Sequence, residues 1–264
     1  MDKLTENLAR NTSTGGTQSI RRALHLLRLL AQNDRHGLSL QQLTAMSGLE
    51  RSTAHRLISC LVEEQFARRS PDDRRYYLGI DAMQVGFSAM HRAPIADTLL
   101  PLAKRLCRLS GDTVFLVVEQ GDHALCLLRE HGEFPVRLFT IDVGERRLLG
   151  VGAGGLALLA QFDDAAIIEI HQRHAKEYDA AGLTIDGLLQ KAQATRSKGY
   201  SEVVDSITVG ISGVGHAFRI SDMTQVAISF GAITQRLDAE RRQSMGELLQ
   251  EECSKWRLEQ LAAR

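Results

Sequence analysis

The sequence predicts an α+β chain of two domains: an N-terminal winged helix-turn-helix, and a larger half in which helices cover a largely antiparallel sheet. Three observations carry this. Residues 39–64 read as two short helices joined at Gly48, and residues 66–78 read as strand, turn and strand. From residue 113 onward, apolar runs of strand length alternate with amphipathic helical stretches. At 264 residues the chain is long enough for each half to bury its own core.

Residues 1–17 end in Asn-Thr-Ser-Thr-Gly-Gly-Thr and are expected to form a flexible tail, because they hold too little apolar surface to order themselves. The winged helix is expected over residues 18–80. Ser19 caps its first helix, with Ile20, Ala23, Leu24, Leu27 and Leu30 inward and Arg21 and Arg22 near phosphate on the first turn. Ser39 caps the second, Leu40 and Leu43 face inward, and Gly48 supplies the permissive backbone for a sharp turn. In the third helix Ala54, Leu57, Ile58, Leu61 and Val62 recur at spacings of three and four and turn inward. Arg51, Ser52, His55 and Arg56 are left on the outer face, with Thr53 half inward. A helix fits the major groove, where Arg grips guanine with two hydrogen bonds and Ser or Thr reaches base edges or phosphate. His55 either contacts DNA or simply covers surface.

Phe66-Ala67-Arg68-Arg69, Ser70-Pro71-Asp72-Asp73 and Arg74-Arg75-Tyr76-Tyr77-Leu78 then form the wing hairpin. Arg68, Arg69, Arg74 and Arg75 would track the phosphate backbone, adding affinity without sequence information. The alternative is that they pair with Asp72 and Asp73 on a solvated surface.

A linking helix is expected over residues 81–97, closed by Pro94, and the second domain over residues 98–264. Its elements are a helix over Ala96–Leu109, then strands over Thr113–Val118, Ala124–Leu128 and Val136–Val143. Helices follow over Leu156–Gln161, Asp163–His174 and Ile185–Lys198, strands over Ile211–Ile220 and Gln225–Ile233, and a long helix over Asp238–Leu261.

Charge balances over the whole chain, yet residues 1–80 carry 12 Lys and Arg against 8 Asp and Glu, a local basic footprint. Cys60, Cys107, Cys126 and Cys253 are scattered and read as small core residues of a reduced, cytoplasmic protein. No apolar run is long enough to span a membrane, and the N-terminus lacks a signal-peptide pattern.

Three constellations invite other chemistry. Gly150-Val151-Gly152-Ala153-Gly154-Gly155 satisfies G-x-G-x-x-G, but no long strand precedes it in a βαβ unit, so no dinucleotide cofactor is expected. Glycines at a helix start still expose N–H groups to an anion, or serve tight packing of helix on sheet. His171 and His174 have no third ligand at a recognisable spacing, so no metal is expected. Ser212 in Gly210-Ile211-Ser212-Gly213 lacks a nucleophile elbow, and His216 would share its strand.

Ser19-Ile20-Arg21-Arg22-Ala23-Leu24, the run from Gly48 to Leu57, Tyr76-Tyr77-Leu78-Gly79, Gly144-Glu145-Arg146, Gly155 to Ala160 and Gly199-Tyr200 together resemble the IclR family of transcriptional regulators. The resemblance implies a GAF-like second domain that binds a small organic effector, in a homo-oligomer of two or four chains. Ala153, Gly154, Val203, Gly213, Ser229 and Gly231 match its effector-contacting positions. The chain departs from the family there. Leu148, Gly150 and Leu156 stand where Pro, His and Lys are common, Val203 and Ser206 replace acidic residues, Gly213 replaces a cysteine, and Gly231 replaces a serine. A roomier and more apolar pocket follows, suited to an aromatic or branched carboxylate-type metabolite. The expected function is regulation of transcription through double-stranded operator DNA, as repressor or activator, without catalysis. The rival expectation is a metabolite-binding enzyme domain whose winged helix mediates protein contacts.

Overall fold

In a computed structural model the described residues are 15–92, 94–138, 140–221 and 224–262. They form two compact units, divided between Pro94 and Ile95.

The N-terminal unit contains α1 (Gly15–Gln32), α2 (Leu40–Ser47), α3 (Arg51–Glu63), β1 (Ala67–Arg69), β2 (Tyr76–Leu78) and α4 (Ile80–Arg92). Leu26, Leu29, Leu30, Leu38, Leu43, Leu57, Ile58 and Tyr76 make its core. Ser39 and Gln42 form a reciprocal capping box at the start of α2. Ser39→Ala is therefore expected to cost this unit about 1 kcal/mol, read as a lower urea midpoint with an unchanged slope. At the other end of α2, Gly48 adopts φ 66°, the left-handed conformation that turns the chain into α3. The wing is an antiparallel pair with Ala67 opposite Leu78, and Leu38 adds a bridge to Tyr76. Gly79 is required where it stands, since a Cβ there would lie 2.0 Å from the Gln65 carbonyl oxygen.

Several expectations are corrected here. The described part of α1 already begins at Gly15, so Ser19 is not its cap and Arg21 and Arg22 are not in its first turn; residues 1–14 of the expected tail lie outside the described residues. Ile20 and Leu24 are 63 % and 45 % exposed, whereas Leu26 and Leu29 are buried, so the inner face of α1 is rotated from the expected one. Cys60 is exposed, while the other three cysteines are buried. Burial pushes the Cys107 and Cys126 thiols up to about 11 and Cys253 to about 12, which keeps them protonated and unreactive. Ile80, Met83, Val85 and Phe87 of α4 are exposed.

The second unit is built on a six-stranded antiparallel sheet in the order β5-β4-β3-β8-β7-β6. Its strands are β3 (Thr113–Gln120), β4 (His123–Glu130), β5 (Arg146–Leu148), β6 (Ser201–Val204), β7 (Ile211–Ser221) and β8 (Thr224–Ile233). Alternation along β3 sends Val114 and Leu116 to one face and Phe115 and Val117 to the other. The first face packs on α5 (Ile95–Ser110) and α10 (Ala239–Ala262) through Leu99, Leu106, Leu249 and Cys253. The second packs on α6 (Gly152–Leu159), α7 (Asp164–Arg173), α8 (Ala175–Ala180) and α9 (Ile185–Lys198) through Leu158, Ile167, Tyr178 and Leu188.

No strand forms among the described residues of the expected strand over Val136–Val143, of which Phe139 lies outside the described residues. The outer edge of β4 is instead paired by β5, and Cys126 exchanges backbone hydrogen bonds with Gly144 and Glu145. Burial in the segment does not alternate either. Leu138 and Ile141, three apart, are buried, and Val136 and Val143 are exposed. Side chains of the sheet hold this segment in place. Thr113 Oγ1 accepts from the Leu138 N–H at 3.3 Å, and Arg129 donates to the Ile141 carbonyl at 2.9 Å.

Candidate functional site

On α3 the buried residues are Ala54, Leu57 and Ile58, which turns Arg51, Ser52, His55 and Arg56 outward and leaves Thr53 half-buried. Among the described residues, Arg51 and Arg56 enter no ion pair, so both guanidinium groups are available to an external acceptor. Arg21 is exposed and Arg22 half-buried on α1.

The wing arginines separate into two kinds. Arg68 lies over the Tyr77 ring at 4.5 Å, Arg69 over the Tyr76 ring at 5.6 Å, and Arg74 is exposed at the turn with φ 58°. Arg75 points elsewhere. Its Nη1 donates to the carbonyls of His36 at 3.3 Å and Gly37 at 3.1 Å and to Gln42 Oε1 at 3.4 Å. That arginine fastens the wing to the loop before α2 through Nη1. Asp73 is also committed within the hairpin. Asp73 accepts from Tyr77 Oη at 2.7 Å and from the Arg75 N–H at 2.9 Å, and these bonds hold its carboxyl below the usual range.

In the second unit all six expected effector positions converge. Ala153, Gly154, Val203, Gly213, Ser229 and Gly231 line one cavity of about 80 Å³ between the sheet and the first turn of α6. Strand register brings this about. Val203 pairs with Gly213, Gly213 with Gly231, and Ser229 with Phe115, so these positions share one face of four adjacent strands.

Glycines let α6 approach that face. A Cβ on Gly215 would lie 2.7 Å from the Ala153 carbonyl, and one on Gly154 would lie 2.9 Å from Val117 Cγ2. Ser201 Oγ, fully buried, donates to the Ala153 carbonyl at 2.6 Å and holds the helix there. Tight packing of α6 on the sheet is thus served. The N-cap of α6 is Val151, which offers no side-chain acceptor to the first-turn N–H groups beside the cavity.

The substituted positions have made the cavity apolar but not open. A Cβ at Gly231 would meet Leu138 Cδ1 and Phe115 Cε2 at 3.0 Å, and one at Gly213 would meet Ala153 Cβ at 3.1 Å. Neighbouring side chains have closed on the missing ones, so the expected extra room is absent at these two points. The sequence reading missed Leu138, Ile141, Arg147, Thr208 and Ser212, which also line the cavity. Leu138 and Ile141 drew notice only as apolar residues of an expected strand, and Ser212 only as a rejected nucleophile.

A reader helix with a wing, followed by a small-molecule cavity in a curled α+β sheet domain, defines a ligand-responsive DNA-binding regulator. Family models agree. The IclR helix-turn-helix domain matches residues 19–71 and the bacterial transcriptional regulator IclR C-terminal domain matches residues 87–256. The chain belongs to the IclR family of transcriptional regulators, and is a regulator rather than an enzyme. It is 27 % identical to the transcriptional repressor IclR of Escherichia coli K12 over 192 residues, 72 % of this chain and 70 % of that protein. Its fold is similar to that of an IclR-type regulator from Silicibacter sp. TM1040, with TM-score 0.76, 20 % identity and coverage of 90 % and 94 % of the two chains. It is also similar to an IclR homologue from Microbacterium hydrocarbonoxydans complexed with 4-hydroxybenzoate, with TM-score 0.70, 18 % identity and coverage of 90 % and 97 %. No described helix is long and apolar enough to cross a membrane.

Proposed function

We propose that this regulator is a cytoplasmic repressor that holds double-stranded operator DNA through α3 and the wing, and changes its hold when an aromatic or branched carboxylate fills the cavity. The carrying observation is the outer face of α3, where Arg51 and Arg56 stand exposed without ion pairs above a fully apolar inner face. Arg51, Ser52, Thr53, His55 and Arg56 read base edges, and Arg68, Arg69 and Arg74 lie at phosphates. Arg21 and Arg22 are the remaining candidates for phosphate binding. One short helix reads few bases, so specificity calls for symmetric pairing on two half-sites, and the exposed apolar residues of α4 suit a second copy of the chain. Repression is supported by the relatives, which are named repressors.

The effector class is supported by the apolar lining from Phe115, Val117, Leu138, Ile141 and Val203, and by the 4-hydroxybenzoate complex of the Microbacterium homologue. An effector shifts operator affinity only through different affinities for two states, typically by about 5- to 150-fold. Footprinting on the DNA flanking its own gene is expected to show salt-sensitive protection, weakened or shifted by benzoate, 4-hydroxybenzoate or isovalerate. Tight calorimetric binding of two- and three-carbon acids alone would refute the effector class, and no protected segment under any condition would refute the DNA reading.

A further inference from the structure

Sheet register carries the cavity's face beyond the expected effector positions on β6, β7 and β8, across β3 and β4 to the edge strand β5. Val117 pairs with Cys126, two residues from Ala124, and Ala124 pairs with Arg147 on the edge strand β5. Arg147 therefore shares that face, and its side chain, 21 % exposed, lines the cavity. Among the described residues the lining contains this one cationic side chain and no carboxylate. Such a wall has net positive charge in apolar surroundings.

The guanidinium is only weakly ion-paired. Its Nη2 donates to the Thr140 carbonyl, and its nearest carboxylate oxygen, Glu145 Oε1, is 3.4 Å from Nε and 3.5 Å from Nη2. Strong charge-assisted pairs sit at about 2.7–2.9 Å. Arg129, Arg173, Arg196, Arg236, Arg241 and Arg242 in this unit each hold a carboxylate at 3.0 Å or less. Glu145 is itself divided. Its side chain is 42 % exposed, and its other oxygen accepts from the Asp142 N–H at 3.0 Å.

We propose that Arg147 is the charge anchor of the effector pocket, taking the carboxylate of a monoanionic ligand in a bidentate pair while the ligand's apolar body rests on Phe115, Val117, Leu138 and Ile141. The proposal rests on the effector reading above and adds a selection rule: the pocket takes acids and refuses their neutral isosteres. A planar fork matches a carboxylate in a way that a lysine does not.

The test is calorimetry on the full chain with benzoate and isovalerate, each beside its amide, benzamide and isovaleramide. The wild type is expected to bind the acids at least about tenfold more tightly than the amides. Arg147→Met is expected to bring acid affinity down to amide affinity and leave the amides unchanged, and Arg147→Lys is expected to fall between. Glu145→Gln removes the internal competitor and is expected to tighten acid binding. Acids bound equally by wild type and by Arg147→Met would overturn the anchor while leaving the pocket standing, as would amides bound as tightly as acids. If Arg147→Met does not fold, equal acid affinity in wild type, Arg147→Lys and Glu145→Gln overturns it. Failure of the wild type to bind either acid overturns the effector reading and this proposal together.

Discussion

Arg56→Ala is expected to remove most of the regulator's preference for its operator while leaving its affinity for unrelated duplex nearly intact. A bidentate arginine–guanine pair discriminates by about 1–3 kcal/mol, roughly 5- to 150-fold, and lies on top of a phosphate term that ignores sequence. Arg56 stands on the exposed face of α3 opposite Ala54, Leu57 and Ile58, so its loss leaves the helix core untouched. Arg68→Ala and Arg74→Ala should behave differently. Each is expected to weaken binding to every sequence and to flatten the slope of log K against log salt by roughly 0.9 for each phosphate no longer neutralised. Arg75→Ala should do neither. Its guanidinium bonds to the His36 and Gly37 carbonyls, so its removal is expected to destabilise the N-terminal unit by about 1–2 kcal/mol with an unchanged salt slope. Fluorescence anisotropy with the protected promoter fragment and a scrambled duplex, at three or more salt concentrations, separates these outcomes. Equal effects of all four substitutions would show that roles on α3 and the wing are wrongly divided.

That division marks where the sequence stops being informative. Periodicity exposed the inner faces of α3 and of the sheet, since spacings of three and four, or of two, follow from local geometry. The helix-turn-helix was legible because a cap at Ser39 and a left-handed turn at Gly48 are local devices. The destination of Arg75 was not legible, because it depends on a loop some 38 residues away in sequence. The strand expected over Val136–Val143 failed for the same reason. Its apolar residues look like those of a strand, but strands need an open edge, and β5 had taken it. In the pocket, family-matched positions located the wall formed by Ala153, Gly154, Gly213 and Ser229. Arg147 escaped notice because only the pairing of β5 with β4 turns it toward the cavity, and Gly231 suggested a void that Leu138 and Phe115 have filled.

Asp112→Ala is expected to have the largest effect on folding. The Asp112 side chain is 1 % exposed and accepts from Arg236 Nε at 2.6 Å and Arg241 Nη2 at 2.9 Å, joining the start of β3 to the turn after β8 and the first turn of α10. Both arginines also donate to the Ser110 carbonyl, at 3.1 and 2.8 Å, so one small polar knot closes three chain segments. Removing the carboxylate leaves two guanidinium groups side by side without a counter-charge. Breaking a buried pair from one side typically costs about 3–5 kcal/mol. The lower end applies here, because Arg236 and Arg241 remain 28 % and 31 % exposed and can rehydrate. For a unit of this size about 3 kcal/mol corresponds to a fall in Tm of roughly 6–12 °C. Arg241→Met should cost less, since Arg241 Nε is already buried without a hydrogen-bond partner among the described residues, and Arg236 would keep the carboxylate paired. Calorimetric unfolding of the second unit checks both. A destabilisation below about 1 kcal/mol for Asp112→Ala would mean that water screens this knot as it does an exposed ion pair, and that α10 is held to the sheet mainly by its apolar face, with Leu249 and Cys253 at its centre.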